Sequence, residues 1–261
     1  MINHTNLYTL AKYYDIAFDF RDIPLQCNFL EDVFRLFCPI ELKACLELAA
    51  GPAYHSIEFA ARGVHSTALD MSPPMVDYGL QKACDRGVKL NYVCQDMINF
   101  NLDDHFELAF IMLDSAAYLI NNKAVFQHLE SVARCLTPGG IYVLELSHPK
   151  DAFHVARTTA PEWTMRRDDV EVHIRWGHDE DPFDPITQLT KVSTRLEVID
   201  GERKELIVDQ AWLRSFTFNE FRLLVQASPY FDLKAVYGDL DQKVSITADR
   251  AWRMVAVLQS Q

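Results

Sequence analysis

The stretch ACLELAAGPAYHSIEFAARGVHSTALD (Ala44–Asp70) decides the fold. It opens with ACLELA, which reads as a strand. A turn with one glycine, Gly51 beside Pro52, leads into SIEFAARG, a helical pattern that stops at Gly63. HSTALD then supplies a second strand. Strand, turn, helix and strand in this order make a parallel β-α-β unit, and its ligand belongs beyond the carboxyl ends of the strands. A pyrophosphate coenzyme asks such a turn for three glycines, so that backbone amides can close on the phosphates. Here Ala49 follows two positions after Glu47, and Ala53 two after Gly51. Their methyls would crowd a pyrophosphate, whereas a cofactor without phosphates demands less.

The same rhythm continues outward. PPMVDYGLQKACDRG has prolines at a helix start and Gly87 past its end. KLNYVCQD and FELAFIML read as the third and fourth strands, AVFQHLESVARCL as an amphipathic helix stopped by TPGG, and IYVLEL as the fifth strand. Upstream, NFLEDVFRLF has apolar residues at helical spacing. Downstream the pattern changes to period two in VEVHIRW, LTKVSTRLEVID and LIVDQAWLRSF, with IDGERK as a hairpin signal. This predicts an antiparallel insertion of about three strands. TFNEFRLLVQAS then opens a helix with Thr217 and Glu220 at capping-box spacing, and FDLKAVYGD and RMVAVLQ close the sheet. The expected fold is α/β: a Rossmann-like seven-strand mixed sheet with helices on both faces and an antiparallel β insertion between strands five and six. The domains read as an N-terminal helical lid (1–40), a core (41–149 and 217–261) and the insertion (150–216).

Composition bounds the function. The 261 residues are 49% hydrophobic, enough for one large core. No apolar run reaches the length of a membrane span, and MINHTNLYTLAKYYD lacks the pattern of a signal peptide, so the expected setting is cytoplasmic. The formal net charge of −12 argues against nucleic acid as a partner. Six cysteines without a C-x-x-C pair read as buried free thiols, with no metal expected. The expected partner is a small molecule, and a homodimer stays open.

Acidic residues at successive strand ends sharpen this reading. Asp70 lies nineteen positions after Gly51, where a carboxylate can accept both hydroxyls of a ribose. Asp96 ends the third strand and could accept from an adenine amino group. With these, LELAAGPAYHSIEFAARGVHSTALDMSPPMV resembles the first two motifs of class I S-adenosylmethionine-dependent methyltransferases, of the small-molecule type. YVCQDM, LAFIMLDSAAYL and ARCLTPGGIYVLEL are similar to the later motifs in the right order, and LAKYYDIAFD to the substrate-side lid. The departures are Ala49 and Ala53, where the family usually has glycine, and Pro52. The resemblance implies S-adenosyl-L-methionine as cofactor and S-adenosyl-L-homocysteine as product. It implies that Glu47 and Gly51, with Ala49 between them, border the methionine moiety. It also implies that Asp70 holds the ribose, Met71 packs on the adenine and Asp96 with Met97 covers its edge. Leu113 would flank the sulfonium and Tyr14 would close over the tail.

Methyl transfer from a sulfonium needs mainly orientation and exclusion of water, with a base only where the acceptor carries a proton. Asp114, Tyr118 and His148 are the candidates, at the ends of strands four and five. Asp114 has a plainer reading as a helix cap, and His148 as a hydrogen-bonded loop residue. Trp176, Trp212 and Arg214 of the insertion are candidates for acceptor binding, Arg214 as a carboxylate clamp. The expected reaction is in-line methyl transfer to nitrogen or oxygen of a small molecule. The alternative is a non-catalytic S-adenosylmethionine-binding protein of the same fold. Nicotinamide-dependent oxidoreduction fails on the missing G-x-G-x-x-G.

Overall fold

The computed structural model describes residues 2–153 and 161–261; the part of the expected insertion at 154–160 lies outside the described residues. The chain starts with a short strand, β1 (Ile2–His4), and a 3-10 turn at Leu7–Thr9, then forms α1 (Ala11–Ala17) and α2 (Ile23–Phe37). The alternating part follows as β2 (Ala44–Leu48), α3 (Tyr54–Ala61), β3 (His65–Asp70), α4 (Pro73–Asp85), β4 (Asn91–Cys94) and β5 (Phe106–Ile111). A 3-10 turn at Ser115–Tyr118, α5 (Asn122–Cys135), β6 (Leu136–Ser147) and α6 (Pro149–Ala152) complete it. The insertion holds β7 (Glu162–Arg167), β8 (Val170–Trp176), β9 (Phe183–Asp184), β10 (Leu189–Asp200) and β11 (Arg203–Arg214). The chain closes with α7 (Phe218–Ala227), β12 (Phe231–Tyr237) and β13 (Arg253–Ser260).

The main sheet has the order β12-β13-β6-β5-β2-β3-β4, and only β13 runs antiparallel to its neighbours. The expected seven-strand mixed sheet is therefore present. Its strand order reverses between β2 and β5, and this switch point opens a crevice at their carboxyl ends. β2, β5 and β6 carry near-continuous apolar runs because helices cover both of their faces. On one face Leu46, Ile111 and Leu144 pack with Leu129 of α5 and Leu224 of α7. On the other, Phe110, Val143 and Val257 pack with Phe34 and Leu30 of α2. Each such fully buried side chain contributes about 1.5–3 kcal/mol. α2, α5 and α7 start on side-chain caps: Asp22 accepts from the Leu25 amide, Asn121 from Ala124 and Thr217 from Glu220. Cys27, Cys38, Cys45 and Cys135 are buried free thiols, whereas Cys84 and Cys94 are exposed.

The insertion forms a second sheet, ordered β1-β11-β10-β8-β7 with β9 added to β10. It has five strands of its own rather than about three. Arginines and a glutamate interrupt the apolar pattern of EWTMRR, and the two-residue β9 shows no alternation, so neither announces itself as a strand. The first forty residues divide between two partners. β1 joins this sheet parallel to β11, and α1 lays Tyr13, Ile16 and Ala17 on Val172, Ile174 and Leu196. By contrast, α2 belongs to the main core.

Candidate active site

The turn after β2 has left-handed backbone at three alternating positions: Ala49 (φ 49°), Gly51 (φ 53°) and Ala53 (φ 58°). Only glycine takes this conformation freely, and an alanine there costs about 1–2 kcal/mol. The strain is offset by anchors. The Asp70 carboxylate accepts from the Gly51 amide at 2.8 Å and from the Ser72 amide at 2.9 Å. From the other side, the Tyr92 hydroxyl donates to the Gly51 carbonyl. Tyr92 reaches it by crossing Gly79 of α4, where an added Cβ would stand 2.5 Å from the Tyr92 ring. This explains a glycine inside a helix. Gly79→Ala gains about 1 kcal/mol in helix propensity but forces Tyr92 off the turn. We expect a net loss of about 1–2 kcal/mol, read as a lower Tm.

Glu47, at the end of β2, is buried. Its carboxylate meets His55 Nδ1 at 2.9 Å and accepts from the Ser56 amide at 2.8 Å, so it anchors the start of α3. Tyr14 is buried with its ring over Gly51, at 3.8 Å from the position a Cβ would take. Met71, next to Asp70, is 70% exposed. Asp96 is exposed and accepts from the Ile98 amide at 2.8 Å, while Met97 is half-buried against the core. Buried His128 fixes that loop by donating to the Met97 carbonyl at 2.7 Å; burial lowers its pKa to about 4, so it is neutral. Burial also pushes the Asp70 carboxyl above the usual carboxylate range.

Beside this turn, between the main sheet's carboxyl edge and the insertion, lies a cavity of about 600 Å³. Of the sequence candidates, Tyr14, Leu113, Asp114, Tyr118, Trp176 and Arg214 line it. Tyr118 shares a 2.6 Å hydroxyl contact with Tyr8, and burial raises it to about 12, so at neutral pH it is protonated. Arg214 is buried, stacks over the Phe216 ring at 4.8 Å and donates to Asn122 at 2.7 Å and Glu220 at 2.6 Å. Glu220 thus turns to Arg214, and its side chain meets a cation where a capping box would have it meet the Thr217 amide.

Two candidates stand elsewhere. His148 is buried behind the cavity wall, with Nε2 donating to the Ile246 carbonyl at 2.9 Å and Nδ1 accepting from the Lys150 amide at 3.1 Å. Both nitrogens are used, so it offers no base to a ligand. Trp212 is 46% exposed and does not line the cavity, although period two puts it on the face of Arg214. The reading missed Tyr8, Phe18, Phe20, Trp163, Ser147 and Arg253, which also line the cavity. Trp163 packs edge-on to Phe18 and Phe20 at 5.5 and 5.8 Å, and its indole donates to the Ala17 carbonyl at 2.6 Å. Tyr14, Phe18 and Phe20, spaced along YYDIAFDF, were the available signal for this wall.

Residues 45–140 match the family model described as a methyltransferase domain. The chain carries a methyltransferase domain. A stretch of the chain is similar in sequence to YqeM from Bacillus subtilis (strain 168), which bears a methyltransferase name, at 30% identity over 140 residues. That match covers 52% of this chain and 55% of YqeM, about half the length of each. In structure the whole chain is similar to an S-adenosylmethionine-dependent methyltransferase from Clostridium acetobutylicum ATCC 824. The TM-score is 0.78 at 18% identity, over 97% of this chain and 99% of that one. It is also similar to CalS10, an amino pentose methyltransferase from Micromonospora echinaspora solved with S-adenosylmethionine bound, with TM-score 0.67 at 20% identity over 99% and 100%. At these identities the likeness carries the fold: a Rossmann-like main sheet with a second, largely antiparallel sheet laid over it.

Proposed function

We propose that this chain is an S-adenosylmethionine-dependent methyltransferase acting on nitrogen or oxygen of a small molecule held in the cavity under the insertion. One observation carries the reading. The left-handed Ala49–Gly51–Ala53 turn, anchored by Asp70, opens at the same sheet edge as an aromatic-lined cavity. The residues fit the cofactor. Gly51 leaves room under Tyr14, Asp70 keeps lone pairs beyond its two amide bonds, and Met71 stands exposed beside it as an apolar surface for a base. The alanines keep the backbone that glycines would give, so they supply no reason to expect a protein that has lost transfer.

When bound, S-adenosylmethionine supplies a methyl group on a positively charged sulfur. The rest falls to the chain. Tyr14, over Gly51 and at the cavity, would align the two ligands with Leu113 of the lining, while Phe18, Phe20, Trp163 and Trp176 exclude water and present apolar faces to the acceptor. The methyl acceptor of CalS10 is an amino pentose by name; an aromatic wall of this kind suits a ring compound of that size. Among the described residues no helix is long and apolar enough to cross a membrane, in keeping with a diffusible acceptor. Isothermal titration with S-adenosylmethionine tests the proposal. Binding at micromolar or tighter Kd is expected, with no uptake of NADPH; folded protein that binds no S-adenosylmethionine would overturn it.

A further inference from the structure

Leu113 and Asp114 are consecutive non-glycine residues in the left-handed region, φ 56° and 60°. Such strain persists only where surroundings hold it, and it gathers at functional sites. Here the Leu113 amide donates to Glu145 at 2.7 Å. Asp114 precedes the 3-10 turn Ser115–Tyr118 yet makes no capping bond to it. Both its oxygens turn instead to one residue across the sheet edge. Oδ1 accepts from the Ser147 amide at 2.8 Å, and Oδ2 accepts from the Ser147 hydroxyl at 2.6 Å. Ser147 and Asp114 both line the cavity next to Leu113. Since the hydroxyl proton of Ser147 is committed to Asp114, its oxygen offers only lone pairs to anything in the cavity.

Building on the methyltransferase reading, we infer that Ser147 receives the proton of the methyl acceptor and relays it to Asp114, so that the acceptor must carry an N–H or O–H. The acceptor's X–H bond breaks, its electron pair stays on X, and its proton goes to Ser147 Oγ. Ser147's own proton moves along the 2.6 Å hydrogen bond to Asp114 Oδ2. X forms its bond to the methyl carbon while the carbon–sulfur pair leaves on sulfur. Asp114 ends as a neutral acid and later returns the proton to water. The surroundings suit such a base. Burial raises the Asp114 carboxyl above the usual range, with Glu145 of β6 adding to this and Arg253 of β13 opposing it, while Tyr118 faces it from the 3-10 turn. An ionised carboxylate of raised basicity is what general-base catalysis near neutral pH asks for.

The experiment has two arms. Without cofactor, carboxyl-13C aspartate NMR follows the one resonance lost in D114N. Its midpoint is expected to rise in S147A, which lacks the hydroxyl donor, and an unchanged midpoint would overturn the coupling. With cofactor, the wild type is given benzylamine, phenol, glucosamine, benzoate and N,N-dimethylaniline, and homocysteine-product formation is followed from pH 5 to 9. Transfer is expected only to the first three. On the best of these, S147A and D114N should lose about 10²-fold in kcat. They should also lose the acid limb of the kcat profile, with S-adenosylmethionine affinity within twofold of wild type. Transfer only to the last two, transfer to none by cofactor-binding protein, or variants with the wild-type profile would overturn the relay. Failure of the wild type to bind S-adenosylmethionine would instead remove the methyltransferase reading beneath it.

Discussion

Arg167→Met is expected to cost the folded chain about 3 kcal/mol, the low end for removing one partner of a buried ion pair. Its partner, Asp15 of α1, is fully buried. The Asp15 carboxylate accepts from Arg167 Nη1, from the Tyr78 hydroxyl at 2.6 Å and from the Tyr54 hydroxyl at 3.0 Å, with Lys82 Nζ at 3.6 Å. Four elements meet on this oxygen: α1, the end of β7, the start of α3 and the middle of α4. Tyr54 is also the residue directly after the Ala49–Ala53 turn. The remaining tyrosines and Lys82 keep the loss at the low end, while the second oxygen, Oδ1, has no hydrogen-bond partner among the described residues to compensate.

The pH dependence gives this prediction a second edge. Burial alone would raise the Asp15 pKa, but the bonds from Arg167, Tyr78 and Tyr54 outweigh it and hold the value below normal. A carboxylate with a lowered folded pKa adds stability that is complete above its unfolded value, about 3.9, and is lost as pH falls through the folded one. Without Arg167 the lowering weakens, and burial pulls the folded value upward. The stability gap between wild type and R167M should therefore be full at pH 7. It should begin to shrink as pH falls through the upshifted folded value in R167M, and go on shrinking down to the lowered value of the wild type. Urea unfolding at pH 7, 5 and 3 measures it. A gap that stays constant would show that Arg167 acts through packing and not through the Asp15 charge.

The legible parts of this chain are those where one period rules a segment. β2, β3 and α5 each bury a single face or run against the main sheet, so spacing alone finds them. The turn was legible because its chemistry is local: the nineteen-residue step from Gly51 to Asp70 ends in a direct 2.8 Å bond. What stayed hidden depends on contacts across the chain. The link from Asp15 to Arg167 spans 152 residues, and that from Tyr8 to Tyr118 spans 110. Nothing in EWTMRR shows that Trp163 faces α1. Ser147 looks like the end of a strand until Asp114 is seen to turn toward it. Glu47 and His148 illustrate the opposite case. Their positions at strand ends suggest ligand contact, yet His148 commits both ring nitrogens to the chain, and buried Glu47 commits one lone pair of each oxygen to the start of α3.

Asp70 is the residue on which cofactor affinity should depend most. Its two oxygens already hold the Gly51 and Ser72 amides, and each retains a lone pair for a ribose hydroxyl. In D70N one oxygen becomes an NH₂ group that confronts a backbone N–H, and charge-assisted bonds worth about 1.5–3 kcal/mol each are weakened or lost. Losing two such bonds at the low end removes about 3 kcal/mol, or roughly 10²-fold in Kd for S-adenosylmethionine. The sign of the pH effect follows from burial, which raises the Asp70 carboxyl above its usual range. A ligand that donates two hydroxyls prefers the ionised form. Wild-type affinity should therefore be flat at neutral pH and weaken as pH falls through that raised value, whereas D70N should show no such limb. Titration calorimetry from pH 5 to 8 reads both effects. If D70N binds within threefold of wild type, the carboxylate serves only to brace the turn, and the ribose must be held by another group.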